Sequence, residues 1–142
     1  MKGKDVRWER SATHRGEFNA FLAEASLGFD TRSLHMALQT TPPGGCNETH
    51  QHNETIVYIL RGKGYVLVNG ERFDLEEGDT CFVHWLDWHQ FWSLADSNDP
   101  PFIQLRIIFH LNQYLLPFPY FEEGEDSTVL GFDPKYIPQL PW

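Results

Sequence analysis

The sequence is poor in cysteine, and this shortage excludes a disulfide framework. Only two of the 142 residues are cysteine, Cys46 and Cys81, and their spacing does not match a CxxC motif. A domain of this length closes an apolar core without disulfides, so both thiols are expected to be reduced. Cys46 lies four residues before the histidine pair that begins at His50. It is either close to a functional site formed by that pair or an ordinary loop residue.

Positive charge and long apolar runs are also scarce. The chain has eleven Lys and Arg residues and twenty Asp and Glu residues, which gives a net charge of −9. Nucleic acid and anionic membrane surfaces need a basic face, so neither is expected as a partner. No apolar run is long enough to cross a bilayer, and the first residues lack the apolar core of a signal peptide. We therefore expect a cytoplasmic protein.

Long stretches of helical period are missing as well, whereas aromatic residues make up 15% of the chain. This combination favours an all-β fold. Short strands are predicted at 33–39, 56–60, 65–68, 71–75, 80–84, 90–94 and 102–111. Asn69-Gly70 between two of them is a strong hairpin signal, because both residues tolerate positive φ. Short, closely spaced strands are typical of a sandwich or barrel.

The length predicts one domain with an arm at each end. Residues 1–30 are interpreted as an N-terminal arm with one short helical turn, residues 31–112 as the barrel domain and residues 113–142 as a C-terminal arm. Pro117 and Pro119 exclude a central strand in the C-terminal arm, which is rich in apolar residues. Such an arm is expected to cover its own barrel or a second subunit, and we favour a homodimer.

Three histidines form the most informative pattern in the chain. His50 and His52 are separated by one residue, so on a strand both point to the same side, with a rise of about 3.3 Å per residue. The β-branched and aromatic segment 56–60 follows them and places the pair at the start of a strand. His89 stands 37 residues after His52. Three imidazoles that face one point are costly to bury without a cation, and together they can hold a metal ion.

The glycines around these histidines resemble the paired sequence motifs of the cupin superfamily. The residues that carry the resemblance are Gly44, His50, His52 and Gly62 in the first motif and Gly78 and His89 in the second. With the Asn69-Gly70 hairpin between the motifs, the resemblance covers about residues 34–110. It implies a single jelly-roll β-barrel with a metal ion inside, and it implies that His50, His52 and His89 are ligands.

The chain departs from the usual cupin motifs in two places. In the usual first motif a glutamate stands seven residues before the closing glycine, and counting back from Gly62 puts Thr55 there. Glu54 is next to this position, and on an unbroken strand it would share a face with His52, whereas a bulge would turn it away. Glu54 is therefore a candidate fourth ligand. In the second motif the positions where Pro, Gly and Asn are common hold His84, Leu86 and Ser93.

Imidazole ligands suit iron, zinc, copper, nickel and manganese alike. We expect one divalent metal ion per subunit, with Fe(II) preferred and Zn, Mn, Ni or Cu as alternatives. A neutral three-histidine set leaves coordination positions for water, O₂ or a chelating substrate, which is the arrangement that metal catalysis requires.

Candidate substrate contacts come from both motifs and from the last strand. Trp88 belongs to a group of aromatic residues around His89 that either lines a pocket for a small organic substrate or fills the core. Gln104 and Arg106 alternate with apolar residues on the strand 102–111. If Arg106 faces inward, its guanidinium can pair with a substrate carboxylate, and the alternative is a polar stripe that faces solvent.

Three functions fit this pattern. The preferred hypothesis is a mononuclear non-haem metalloenzyme, a dioxygenase-like oxidoreductase that acts on a small, aromatic or other organic substrate. The sequence Trp88-His89-Gln90 supports it, since it is similar to that of cupins grouped near gentisate-type dioxygenases. The alternatives are a non-catalytic cupin that binds a small ligand and a metal-dependent isomerase or lyase. No residue is evident as a separate general base.

Overall fold

The computed structural model describes residues 6–10, 16–23 and 34–109. Within these residues the chain forms nine strands: β1 (Glu9–Arg10), β2 (Phe18–Ala23), β3 (Leu34–Thr40), β4 (Thr55–Arg61), β5 (Lys63–Val68), β6 (Glu71–Glu76), β7 (Thr80–Val83), β8 (His89–Ser93) and β9 (Ile103–Phe109). All their pairings are antiparallel. The predicted all-β fold is confirmed.

The strands form two sheets that face each other. The large sheet has the order β1-β2-β3-β9-β4-β7, and the small sheet has the order β6-β5-β8. From β4 onward the chain passes repeatedly between the sheets, because β4, β7 and β9 belong to the large sheet and the β5–β6 hairpin and β8 belong to the small one. This arrangement is a jelly-roll sandwich, as predicted.

The hairpin between β5 and β6 forms at the predicted dipeptide. Asn69 has φ 50° and Gly70 has φ 86°, and Val68 pairs with Glu71 across the turn. Positive φ at both central residues gives a turn whose twist matches that of the two strands. The prediction from Asn-Gly is confirmed.

The apolar core lies between the two sheets. Val57 and Ile59 of β4 pack with Val66 of β5 and Phe91 of β8, and all four side chains are fully buried. Removing an aliphatic or aromatic side chain of this size from water contributes about 1.5–3 kcal/mol each. This core joins the sheets and sets the distance between the segments that carry the histidines.

The last strand turns its polar residues inward. Arg106 pairs with Val57 and Gln104 with Ile59, so both polar side chains share the inner face of the large sheet with core residues. Arg106 is 0% exposed and Gln104 is 1% exposed. The polar stripe of β9 therefore faces the interior rather than solvent.

Gly64 lies where β5 approaches its neighbours most closely. A Cβ at this position would collide with the carbonyl oxygen of Trp92 and lie 2.5 Å from the ring of Phe102. We expect Gly64→Ala to lower the free energy of unfolding by about 2–3 kcal/mol, because an overpacked site must displace backbone. Urea denaturation measures this. Gly64 does not have the positive φ of Gly62, Gly70 and Gly78, so the loss reports the clash rather than backbone strain, and a loss below about 1 kcal/mol would contradict the close approach.

The described N-terminal segments form strands, and the short helical turn expected in residues 1–30 stays a prediction for the residues outside the described part. Residues 9–10 and 18–23 form β1 and β2 at one edge of the large sheet. Phe18 and Ala20 are buried in this pairing, and their packing outweighs the lack of a clear sequence period. The C-terminal arm and the predicted strand beyond Phe109 lie outside the described residues. Within the described part, no helix is long and apolar enough to span a membrane.

Candidate metal centre

The histidines of the two motifs are joined by one antiparallel bridge. The amide of His50 donates to the carbonyl of His89 over 3.0 Å, and the amide of His89 donates to the carbonyl of His50 over 2.8 Å. His89 is the first residue of β8, whereas His50 and His52 precede β4, which begins at Thr55. The His-x-His pair therefore lies just before the strand whose start it was expected to occupy, and the bridge fixes its position.

A second contact holds the segment before His89 in place. The hairpin residue Asn69 accepts a hydrogen bond from the amide of Trp88 and donates its side-chain amide to Asp87 over 2.8 Å. Its own backbone amide donates to the carbonyl of Trp88. The turn that the sequence predicts most firmly thus also positions the third histidine.

The three imidazoles converge in the interior. Their candidate ligand nitrogens all lie within 4.8 Å of one another. The ring centroids are 5.1 Å apart for His50 and His52, 4.3 Å for His50 and His89, and 4.7 Å for His52 and His89. All three residues are buried, which shields the group from bulk water.

Backbone carbonyls select one tautomer of each ring. Nδ1 of His50 lies 2.9 Å from the carbonyl of Glu48, Nδ1 of His52 lies 2.6 Å from that of Asn53, and Nδ1 of His89 lies 2.8 Å from that of Asp87. A carbonyl oxygen only accepts hydrogen bonds, so each Nδ1 carries a proton, and Nε2 of each ring is the nitrogen that remains to bind a metal.

This donor set fits a divalent transition metal. Metal-bound histidines generally donate their other ring nitrogen to a carbonyl or carboxylate, which orients the ring and makes the ligand nitrogen more basic. All three rings have that arrangement before any metal is considered. Three neutral nitrogen ligands suit Fe, Zn, Cu, Ni and Mn, so the geometry supports a metal site and leaves the identity of the ion open.

The group of ligand atoms contains no carboxylate from the described residues. Glu54 is half-buried, and its backbone carbonyl accepts a hydrogen bond from the amide of Phe109 over 3.1 Å. Thr55, in the position where cupins usually have glutamate, is buried. Its hydroxyl donates to the carbonyl of Asn53 and lies 3.3 Å from Nδ1 of His52. Thr55 therefore contacts the ring of His52, and ligation by Glu54 stays a prediction.

A second buried polar group lies next to Phe91. The Phe91 ring contacts that of His89 at a centroid distance of 6.0 Å, and the guanidinium carbon of Arg106 lies 4.3 Å from the Phe91 centroid. Nε and Nη2 of Arg106 both donate to Oε1 of Gln104, over 3.1 and 2.9 Å. Phe91 therefore contacts both the histidine group and a cation in the same interior.

Glu17 provides the negative charge that balances Arg106. Its Oε1 lies 3.6 Å from Nη2 of Arg106 and accepts a hydrogen bond from the side chain of Asn47. Burial lowers the pKa of Arg106, and the carboxylate of Glu17 acts in the opposite direction. Both side chains of the pair are almost completely buried, so the ion pair lies in a medium of low dielectric constant.

A sequence model of the family described as "Cupin domain" matches residues 37–99, which include all three histidines. The chain carries a cupin domain. The predicted resemblance to the cupin superfamily is therefore confirmed over these residues. No curated protein matches the chain significantly by sequence.

Solved structures share the fold of this cupin domain. The polyketide cyclase RemF from Streptomyces resistomycificus matches with a TM-score of 0.65 and 16% identity over 77% of each chain. An RmlC-like cupin from Shewanella frigidimarina matches with a TM-score of 0.64 and 17% identity over 82% of this chain and 94% of its own. Salicylate 1,2-dioxygenase from Pseudoaminobacter salicylatoxidans matches with a TM-score of 0.58 and 20% identity. The match covers 70% of this chain but only 26% of the dioxygenase chain. At these identities the likeness shows the fold.

Two residues of the cupin interior were not anticipated from the sequence. Glu17 belongs to the segment interpreted as an arm, and Asn47 to the loop before the histidine pair. Asn47 accepts a hydrogen bond from the amide of Phe91 and donates to Glu17, which lies 30 residues earlier. No local pattern signals such a contact, because it depends on how β2 pairs within the large sheet.

The remaining predicted residues have different surroundings. Trp88 is half-buried, and the structure describes backbone hydrogen bonds at this residue. Cys46 is buried, and its sulfur accepts a hydrogen bond from Gln90. Burial, together with the charge of Glu48, raises the pKa of the Cys46 thiol to about 11. Cys46 is therefore a thiol at neutral pH, and it is not part of the histidine group among the described residues.

Proposed function

We propose that the protein is a mononuclear non-haem Fe(II) enzyme of the dioxygenase type that acts on a small organic substrate. Hydroxylated aromatic acids and diketones are the first candidates, because two oxygen atoms of such a molecule can bind one metal ion. The likeness in fold to a salicylate 1,2-dioxygenase, whose structure contains gentisate, supports this choice.

The observation that carries the proposal is a buried set of three neutral imidazoles without a carboxylate in the described group. A neutral set leaves the charge of a divalent ion uncompensated, so an anionic, chelating substrate binds more favourably there than at a site that already has a carboxylate ligand. His50, His52 and His89 would hold Fe(II), which would supply the chemistry that activates O₂ beside a chelating substrate.

The protein contributes orientation and the exclusion of water. The carbonyls of Glu48, Asn53 and Asp87 hold the three rings at fixed angles, so the ligands need little rearrangement. Phe91 is fully buried beside His89 and keeps the interior apolar at that point. A dry site strengthens the interaction between the ligands, the ion and the substrate.

Arg106 and Glu17 offer contacts for a polar group of the substrate. Nη1 of Arg106 and Oε2 of Glu17 are buried and make no hydrogen bond within the described part of the chain. Because Gln104 engages Nε and Nη2, a two-pronged contact with a carboxylate through those atoms would displace Gln104. We expect Arg106 to contribute through Nη1, as a donor to a substrate oxygen.

Oxygen consumption tests the proposal. The purified protein is loaded with Fe(II) under anaerobic conditions and mixed with O₂ and a panel of hydroxylated aromatic acids and diketones. We expect at least one compound to give uptake above that of the Zn(II)-loaded protein, which binds through the same histidines but has no redox chemistry. Absence of uptake with every compound, in protein shown to hold iron, would contradict the proposal.

A second candidate is metal-assisted chemistry without O₂, such as an isomerisation, cyclisation or elimination. The buried Glu17–Arg106 pair favours it, since a carboxylate and a cation near a substrate can move and stabilise a proton. The likeness in fold to a polyketide cyclase agrees with this candidate. Elemental analysis of protein as purified separates the two, because iron supports the first candidate, and zinc or manganese supports the second. A protein that never retains a metal would instead support a ligand-binding cupin.

A further inference from the structure

A row of amide side chains crosses the inner face of the large sheet next to Arg106. Registered pairing joins Asn19 of β2 to Gln39 of β3, and Gln39 to Gln104 of β9. Residues that are paired directly across strands share a face, and Gln104 also pairs with the core residue Ile59, so all three amides face the interior. Their exposed fractions are 6%, 5% and 1%. The interior is therefore polar in the part that β2, β3 and β9 enclose.

Two further polar residues adjoin this row. Glu17 and Thr41 are the next residues beyond Phe18 and Thr40, which pair across β2 and β3. Both are buried, and each is 1% exposed. Oε1 of Glu17 lies 3.6 Å from Nη2 of Arg106, so the ion pair belongs to the same group. The name polar cluster is used below for Glu17, Asn19, Gln39, Thr41 and Arg106.

Each member of the polar cluster has a buried polar atom that makes no hydrogen bond to the described residues. These atoms are Oε2 of Glu17, Oδ1 of Asn19, Oε1 of Gln39, Oγ1 of Thr41 and Nη1 of Arg106. Proteins pair the large majority of their buried polar side-chain atoms, because an unpaired atom costs its full desolvation. Several such atoms within one cluster indicate a polar ligand that forms hydrogen bonds with them.

The polar cluster offers mainly acceptors. Glu17, Asn19 and Gln39 each present an oxygen that accepts hydrogen bonds. The hydroxyl of Thr41 donates or accepts, and Nη1 of Arg106 donates. The opposite charges of Glu17 and Arg106 cancel, so a charged group would gain little net attraction there and would still lose its hydration. A hydroxyl group is neutral and both donates and accepts, so a ligand with several hydroxyls matches this arrangement.

The polar cluster adjoins the metal centre. The Phe91 ring centroid lies 6.0 Å from that of His89 and 4.3 Å from the guanidinium carbon of Arg106. Asn47 donates a hydrogen bond to Glu17 and accepts one from the amide of Phe91. Both sites are therefore in contact with the same residue of β8, and one small molecule can reach both.

We propose that the polar cluster binds the hydroxyl groups of a small polyhydroxylated acid, such as a sugar acid, and so defines the substrate class of the metal centre. This inference rests on the proposed function, because the acid end of the molecule carries the two oxygens that bind the ion. The remaining hydroxyls then donate to the oxygens of Glu17, Asn19 and Gln39, and one of them accepts from Nη1 of Arg106.

Calorimetric titration of the Zn(II)-loaded protein with D-gluconate and with L-lactate tests this proposal. Both acids have a hydroxyl next to the carboxylate, so both can bind the ion through two oxygens, but only D-gluconate has further hydroxyls. We expect D-gluconate to bind at least about 10-fold more tightly, because its hydroxyls pair with buried groups that are otherwise unpaired. Equal affinity for the two acids, or no binding of either, would overturn the proposal and assign the cluster to buried water.

The titration involves no O₂, so failure of this proposal is distinguishable from failure of the proposed function. Oxygen uptake with Fe(II) and an aromatic acid, together with equal binding of D-gluconate and L-lactate, would overturn the assignment of the polar cluster alone. Preferred binding of D-gluconate without uptake of O₂ for any compound supports the polar cluster and contradicts only the redox chemistry.

Thr41→Val and Thr40→Val form a matched pair of variants. The two residues are adjacent and each is 1% exposed, but the hydroxyl of Thr40 donates to the carbonyl of Phe102 over 2.7 Å. The hydroxyl of Thr41 has no such partner in the described part of the chain. We expect Thr41→Val to lower the affinity for D-gluconate by about 5-fold and to keep the Tm of the wild type. Thr40→Val is expected to keep the affinity and to lower the Tm by about 3 °C or more.

Gln39→Met is a second variant within the polar cluster and has a side chain of similar length. It is expected to lower the affinity for D-gluconate by about 10-fold and to leave that for L-lactate unchanged, because only the further hydroxyls reach this position. Near-UV circular dichroism and Zn(II) content show that each variant is folded and holds its ion. Folded Thr41→Val and Gln39→Met variants that bind D-gluconate as tightly as the wild type would overturn the proposal.

Discussion

Replacement of His89 by alanine is expected to lower the affinity of the protein for Zn(II) by about 100-fold or more. Structural zinc sites with four ligands have apparent binding free energies of about 10–16 kcal/mol, so one ligand contributes about 3 kcal/mol. His89 comes from the second motif and is joined to His50 by the backbone bridge. Its loss removes one of three convergent nitrogens and leaves the two of the His50–His52 pair.

Competition with a chromophoric chelator measures this affinity in the wild type and in the variant. His84→Ala is the matched control, because His84 is exposed, lies five residues earlier and is not part of the histidine group. Zn(II) at 100 times its dissociation constant should stabilise the wild type and the control by about 2.7 kcal/mol. His89→Ala should show little stabilisation at that concentration. Equal affinity in both variants would mean that the three rings do not share an ion.

Replacement of Arg106 by methionine is expected to lower the free energy of unfolding by about 3–5 kcal/mol, since it leaves the carboxylate of Glu17 buried without a counter-charge. Gln104 would lose both hydrogen bonds to the guanidinium as well. For a domain of this size we expect a fall in Tm of about 10 °C or more. Urea and thermal denaturation measure the effect.

A double-mutant cycle shows whether the loss comes from the broken pair. The double variant Arg106→Met with Glu17→Met removes both charges and is expected to be more stable than Arg106→Met alone. Arg72→Met is the control for an ordinary ion pair, since Arg72 and Asp74 have side chains that are 51% and 73% exposed, and it should cost less than about 1 kcal/mol. If Arg106→Met costs no more than Arg72→Met, the buried pair contributes nothing to stability.

The three histidines could be predicted because their chemistry is visible at short range. His50 and His52 have a fixed spacing, and the resemblance to cupin motifs located His89 independently. Asn69-Gly70 is a local signal too, and its turn forms as predicted. In contrast, Glu17 pairs with Arg106 from the other end of the chain, and no local pattern specifies that partner.

Glu54 and Thr55 illustrate a further limit. They are adjacent in the sequence, so a small change in the backbone decides which of them faces the histidines. The structure begins β4 at Thr55, buries that side chain beside His52 and leaves Glu54 half-buried. Which side chain lies beside His52 therefore depends on where the strand begins, and a shift of one residue would exchange Thr55 for Glu54.

The seven strands from Leu34 onward, the central hairpin and the identity of the three convergent histidines were determined by the sequence alone, because turn residues and spacing act over a few positions. Only the tertiary structure decided which face of β9 meets the core. Because side chains alternate along a strand, Arg106 and Ile107 lie on opposite faces of β9. This alternation does not show which of the two faces packs against the core. Here Glu17, the residue before β2, forms an ion pair with Arg106 and so offsets the cost of burying this cation. The apolar residues of β9 such as Ile107 lie on the outer face.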